Sequence, residues 1–284
     1  MITGEKIQKL SSFYVGYDSD FYFNPTIASE KGKHRNLYDL ERLDIIYNPN
    51  LVFCYTHRVN DLIDLLPKFK NRFSLIMHNS DYEITDKIIE KLINNDKIIS
   101  IYSQNLITSK DYDNVHPLPI GIQNSQWTGG WLNLPDTRLC KKTEIVYFNF
   151  FVETNRPVRE KCLKEVSKTG LCHSKILPYN IYIENMFKYM FVICPTGNGT
   201  DTHRFWEALY LKCIPIVERN NLITKFEKTF PMVILESWEE FEECYNIYIN
   251  EKTYNRIMSA FDDYQKYLNF DFLKQQILTE KTFN

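Results

Sequence analysis

The sequence predicts an α/β protein of two Rossmann-like parallel-sheet units, and three observations carry that prediction. Short apolar runs of strand length alternate with segments of helical spacing. The alternation runs through the first half, breaks, and starts again in the second. Polar residues gather where each predicted strand ends, the edge at which open parallel sheets bind ligands.

The elements follow in order. Residues 1–45 are aromatic and polar, and YVGYDSDFYFNP reads as irregular chain or short strands. Leu51–His57 (LVFCYTH) is the first buried strand, and VNDLIDLLPKF has helical spacing through Leu62, Leu65 and Leu66. Phe73–Asp81 (FSLIMHNSD) is a second strand with a polar end; Ile84–Asn95 is an amphipathic helix that Thr85 or Asp86 can cap. Lys97–Asn105 is a third strand, and VHPLPIGIQNSQW adds a proline-rich turn and a short strand. LPDTRLCKK (Leu134–Lys142) then breaks the periodicity.

The rhythm resumes with the strand Glu144–Phe150. The next segment has Pro157 near a helix start and Gly170 just past its end, the preferred asymmetry. YIENMFKYM is a helix leading into the strand Phe191–Pro195; a glycine loop, TGNGTD, feeds the helix HRFWEALYLKC and the strand Ile214–Glu218. ESWEEFEE reads as a solvated helix start, and helical pattern runs from Asn255 to Leu278. The expected domains are 1–138 and 139–262. A helix in 263–284 is expected to return to the first domain.

Composition narrows the function. The 284 residues suit one large domain or two ordinary ones. Lys plus Arg is 34 against 36 Asp plus Glu, a net charge of −2, which lacks the basic excess of a nucleic-acid binder and offers no polybasic membrane arm. The longest apolar run, Tyr189–Cys194, falls far short of the ~20 residues of a membrane helix. The N-terminus shows no signal-peptide pattern, and the seven cysteines form no CxxC pair. The expectation is a soluble cytoplasmic chain with reduced thiols.

The most informative stretch is FVICPTGNGTDTHRFWEALYLKCIPIVE. Gly197 and Gly199 allow backbone angles and close ligand approach that a Cβ would block. The turn ends at a helix N-terminus, where N–H groups and the dipole favour phosphate. Arg204 in the first turn can add a bidentate contact. Glu207, one turn on, can pair with Arg204 or accept from ribose hydroxyls, and Asp201 or Thr202 can cap the helix. His203 is either a phosphate contact or a partly exposed helix residue.

This segment resembles the signature of the exostosin-like glycosyltransferases through Phe191, Pro195, Gly197, Arg204, Glu207 and Ile214–Val217. The first half is similar to small soluble members of large DNA viruses and bacteria through HNSD (His78–Asp81), YSQN (Tyr102–Asn105) and LPIGIQNS (Leu118–Ser125). The resemblance implies the GT-B architecture, two Rossmann-like domains facing a central cleft, and inverting transfer from a UDP-sugar to a glycan hydroxyl. UDP-xylose is the favoured donor. It implies that Arg204 and the backbone of Gly197, Asn198, Gly199 and Thr200 hold the pyrophosphate, with Glu207 at the ribose. The chain lacks the membrane anchor of the Golgi relatives, so the cytoplasm is expected, the host's if the source is viral.

Asn149 and Arg156 follow the first strand of the second half, where a further cation can reach the phosphates. Arg156 is preferred to Arg159 because it is expected in the loop while Arg159 lies on the helix. Inverting transfer needs a base for the acceptor hydroxyl and stabilisation of the departing diphosphate. Asp81, which closes HNSD, is the first choice for base; His78 and His57 come second. DSD (Asp18–Asp20) and DYD (Asp111–Asp113) match a metal-binding DxD pattern but follow no buried strand, so no essential metal or cofactor is expected. Trp127 and Trp131 are either packing aromatics or a face for an acceptor sugar. A nucleotide-sugar or glycan-binding protein without turnover and a nucleotide-sugar epimerase are the competing readings.

Overall fold

The computed structural model describes residues 1–39, 50–127, 134–139, 141–173 and 175–279. It is α/β, with two separate parallel sheets. The chain divides into two compact units, Met1–Gly130 with Asn269–Asn284, and Trp131–Leu268.

The first sheet contains β1 (Phe13–Val15), β2 (Arg35–Asn36), β3 (Leu51–Tyr55), β4 (Phe73–His78), β5 (Ile98–Ser103) and β6 (Val115–Pro117), in spatial order β2-β1-β3-β4-β5-β6. Pairing is parallel throughout, with Tyr14 opposite Phe53, Val52 opposite Leu75 and Met77 opposite Ser103. The first two strands are too short to show a periodicity of their own. Their place comes from pairing, which carries Tyr14 and Val15 into the core.

β4 is buried along its whole length, the pattern of a central parallel strand covered on both faces. The helix Asp86–Ile93 buries Ile89 and Leu92. Thr85 occupies its cap position without a side-chain cap bond, while the Asp86 carboxylate accepts from Ser109, Lys110 and Tyr112. The helix Phe270–Thr279 adds Leu273 and Ile277 to the core formed by Ile7, Tyr14, Phe53, Ile76 and Tyr102.

The second sheet has β7 (Glu144–Tyr147), β8 (Tyr189–Ile193), β9 (Ile214–Glu218) and β10 (Val233–Leu235), in order β10-β9-β8-β7 and again parallel. The helix Arg156–Ser167 lays Cys162 and Val166 against Phe148, Phe150, Phe191 and Ile214. Gly170, just past its end, takes a left-handed φ of 81°, which a residue with a Cβ adopts only at a cost. The helix His203–Tyr210 lies between β8 and β9 in sequence and buries Phe205, Trp206, Ala208 and Leu209. No helix among the described residues is long and apolar enough to cross a membrane.

Candidate functional site

Beyond the carboxyl ends of β7 and β8, the second unit brings two arginines together. Arg159 is 5% exposed. Its Nε donates to the carbonyl of Thr196 at 2.9 Å and its Nη1 to that of Phe151 at 2.6 Å. The Arg159 and Arg204 guanidinium carbons lie 5.7 and 5.9 Å from the centroid of the same ring, Phe150, and Arg204 is also 5.6 Å from Tyr182. Among the described residues neither arginine forms an ion pair, and the shielded Nε of Arg204 has no hydrogen-bond partner. The two charges oppose each other. Burial, and then the Arg204 charge, push Arg159 down to about 10, so it still carries its proton at neutral pH. Burial works against the Arg204 charge too, but Tyr182, Cys194 and Glu207 outweigh it and hold Arg204 above its ordinary value. Two guanidiniums over one ring, with Glu207 the buried carboxylate that acts on Arg204, leave an excess of positive charge that suits an anion.

The loop Gly197–Thr200 closes this site. Among the described residues the glycines with left-handed φ are Gly121 and Gly170, so Gly197 answers a need for space and not for an unusual angle. A Cβ there would meet Arg159 Nη2 at 2.9 Å and Thr202 Cγ2 at 3.5 Å. Asn155 Nδ2 donates to the Gly197 carbonyl at 2.8 Å, fixing the loop from the opposite side. Gly199 is buried, Asn198 exposed and Thr200 half-buried. Thr202 is the residue before the helix His203–Tyr210 and makes no side-chain cap bond. Asp201 instead accepts from Trp206 Nε1 at 2.7 Å, tying the loop to the helix it precedes. His203, the first helical residue, is half-buried.

Two expected phosphate or ribose contacts are corrected here. Arg156 is well exposed and pairs with Glu153 in the turn before its helix and with Glu160 on the helix, three and four residues away. It is Arg159, on the buried face of that helix, that reaches the glycine loop. Glu207 is 1% exposed, and its two oxygens accept from Tyr179 at 2.9 Å and Tyr182 at 3.1 Å. Burial pushes its carboxyl above the ordinary range against the Tyr179 hydroxyl and the Arg204 charge, so Glu207 is a buried clamp for tyrosines and a counter-charge for Arg204. Asn149 is buried and donates to the Lys175 carbonyl at 2.7 Å, bracing the chain after β7.

His173, which sequence reasoning missed, also belongs to this neighbourhood. Its ring lies 5.0 Å from Phe150, and its Nε2 accepts from the Phe150 amide at 3.1 Å. Burial, with Arg204 adding to it, lowers its pKa despite that amide bond.

The carboxyl edge of the first sheet is different. Asn79 and Asn105 follow β4 and β5 with left-handed φ of 57° and 50°, a conformation that asparagine tolerates. The Asn79 amide donates to Gln104 Oε1 at 2.9 Å, and Asn105 Nδ2 donates to the Ser80 carbonyl at 3.0 Å. HNSD and YSQN therefore knit together through asparagine and glutamine. His78 is 1% exposed, with Nε2 against the Pro119 carbonyl at 3.0 Å and Nδ1 against Asn79 Oδ1 at 3.1 Å. Both ring nitrogens are engaged by groups of the protein itself. Asp81 is exposed in the loop after β4. Beside it, Ser80 Oγ lies 3.0 Å from Nδ1 of the exposed His57.

Of the DxD patterns, Asp18 is engaged by Tyr14 and Asn36 at the start of a short helix, and Asp111–Asp113 lies in the chain between β5 and β6. Among the described residues no three His, Cys, Asp or Glu side chains cluster closely enough to hold a metal. Trp131 lies outside the described residues.

No family model matches the chain. It is 31% identical over 86 residues to an Arabidopsis thaliana protein described as a probable glycosyltransferase. The match covers 30% of this chain and 17% of that protein, so the chain aligns with a small part of the relative's length.

Proposed function

We propose that the protein is a glycosyltransferase of the exostosin-like, GT-B type, which inverts configuration as it moves a sugar from a UDP-sugar to a glycan hydroxyl. The observation that carries this reading is the Arg159–Arg204 couple beside the Gly197–Thr200 loop, with the Arg204 Nε left without a hydrogen-bond partner. Partial similarity to the plant protein adds support for glycosyl transfer. UDP-xylose is the first donor to try, and the reaction is proposed to need no metal.

In this scheme Arg159, Arg204 and the amides that open the helix His203–Tyr210 bind the diphosphate. Asp81 takes the proton of the acceptor hydroxyl while that oxygen attacks the anomeric carbon. The bond from this carbon to the diphosphate oxygen breaks, and its electron pair leaves with UDP, where the two guanidiniums stabilise the charge. A second base has a specific observation behind it. Partial burial, then Arg58, lower the pKa of His57, so its ring is neutral at pH 7, and Ser80 orients it.

Thermal unfolding with UDP, GDP, CMP and ATP, each with and without EDTA, tests the reading. UDP at about 100 times its dissociation constant stabilises the fold by roughly 2.7 kcal/mol. The shift is expected with UDP, to survive EDTA, and to vanish in Arg204→Ala. No shift with any nucleotide overturns the donor site, and a shift lost in EDTA overturns metal independence.

A further inference from the structure

At the carboxyl edge of the first sheet two large aromatic side chains stand in water. Phe23 is 59% and Trp127 64% exposed, and their rings lie 5.8 Å apart at 51° to each other. The angle leaves them as a tilted pair and not a closed stack. What holds them is polar. Asn24, next to Phe23, donates through Nδ2 to Ser125 Oγ at 3.2 Å and to Gln126, the neighbour of Trp127. Glu5 Oε2 accepts from Ser125 at 2.9 Å, from Thr26 at 3.1 Å and from Asn24. Glu5 is itself fixed by its amide bond to Asn124 Oδ1 at 3.0 Å. Asn79, which follows β4, donates to the carbonyl of Gly4 at 3.2 Å and to Gln8 at 2.7 Å, anchoring the cluster to the end of that strand.

We infer that the Phe23–Trp127 pair is a stacking subsite for one pyranose ring of a neutral glycan. The C–H bonds on the flat face of a sugar carry partial positive charge and meet the negative face of an aromatic ring. Its hydroxyls both donate and accept, as does the side-chain amide of the half-buried Gln126 beside the rings. The charge of the patch selects against other occupants. Glu5, 4% exposed, makes no ion pair among the described residues and takes neutral donors only, so an anionic ligand meets repulsion here. The cross-links between residues 24–26 and 124–126 fix the rings before a ligand arrives, which reduces the ordering cost of binding. The inference rests on the proposed transfer reading only in naming this sugar as the acceptor; stacking itself does not depend on it.

The test is calorimetric titration of the full chain with neutral tetrasaccharides of xylose, glucose, galactose and mannose, with acrylamide quenching of tryptophan fluorescence in parallel. Trp206 and Trp238 are fully buried, so the exposed Trp127 ring contributes to any quenching that ligand can block. At least one tetrasaccharide is expected to bind and to protect tryptophan from quenching. Trp127→Ala and Phe23→Ala should each raise its Kd about tenfold. The UDP melting shift is measured on the same variants and should not change. If that shift is absent while the sugar binds, the donor reading fails and the subsite stands. The subsite is overturned if no tetrasaccharide binds, if both variants bind as the wild type does, or if the substitutions instead dissociate a dimer of the chain. Should Trp127→Ala unfold, Phe23→Ala decides alone.

Discussion

Past the ends of β7 and β8, two guanidiniums sit within 5.9 Å of one phenyl ring and no carboxylate pairs with either among the described residues. Past the ends of β4 and β5, Asn79 donates to Gln104 and Gln8, and Asn105 donates to the Ser80 carbonyl. Both are carboxyl edges of parallel sheets, yet one gathers two guanidiniums and the other is knit together by neutral amides. Buried cations without partners cost stability unless an anion comes to meet them. A satisfied neutral network costs little and gives rigidity. In the proposed reading the second unit takes the diphosphate and the first an uncharged, hydroxyl-bearing partner.

The sharpest way to break this division of labour is at Asp81. Asp81→Ala should lower the transfer rate by a factor on the order of 100 to 10,000 while the UDP melting shift stays as in the wild type. Transfer that survives in Asp81→Ala and is lost in His57→Ala moves the base to His57. Transfer that survives in both removes this chemistry from the loops after β3 and β4.

The next effect separates neighbouring arginines on one helix. Arg159→Ala should weaken UDP binding about 10- to 100-fold, since charge-assisted hydrogen bonds contribute ~1.5–3 kcal/mol each. Arg156→Ala should leave UDP affinity within about twofold, because its partners are the exposed carboxylates of Glu153 and Glu160 close by in sequence. Equal losses in titrations of the two variants would place the phosphate on the outer face of that helix.

The smallest effect is a pH dependence. A carboxyl whose pKa is raised by folding holds its proton more tightly in the folded state, so folding is favoured where the group is protonated and loses stability as pH rises above the ordinary Glu value of 4.5. Glu207→Gln removes that titration. Its melting temperature should therefore fall less than that of the wild type between pH 5 and pH 8. A wild-type curve that runs parallel to the variant over this range would mean that Glu207 is ionised at no cost.

Much of the α/β alternation was legible because central strands such as FSLIMH and IPIVE are continuous apolar runs. The glycine loop and Arg204 were legible for a local reason, since strand, turn and helix are consecutive. Arg159 was misjudged by a rule that seeks ligand contacts in loops. The signal against that rule was present: Arg159, Cys162 and Val166 repeat at helical spacing on one buried face, and a cation on an apolar stripe requires a reason. His78 likewise ends a strand buried on both faces, which points inward and not to a substrate. The Glu5–Asn24–Ser125 cluster had no such signal. Its members are up to 120 residues apart, and only the tertiary fold brings them together.

The helix Phe270–Thr279 places Leu273 and Ile277 in a core otherwise drawn from residues 2–118. On a ribosome this sets a schedule. Residues 131–268 emerge as one uninterrupted stretch and have their own core, so the second unit can fold as soon as it clears the exit tunnel. The first unit, although translated earlier, waits for its last helix before its core is complete. A nascent chain arrested between the two therefore presents an apolar gap to chaperones, and an element made later determines when one made earlier is finished.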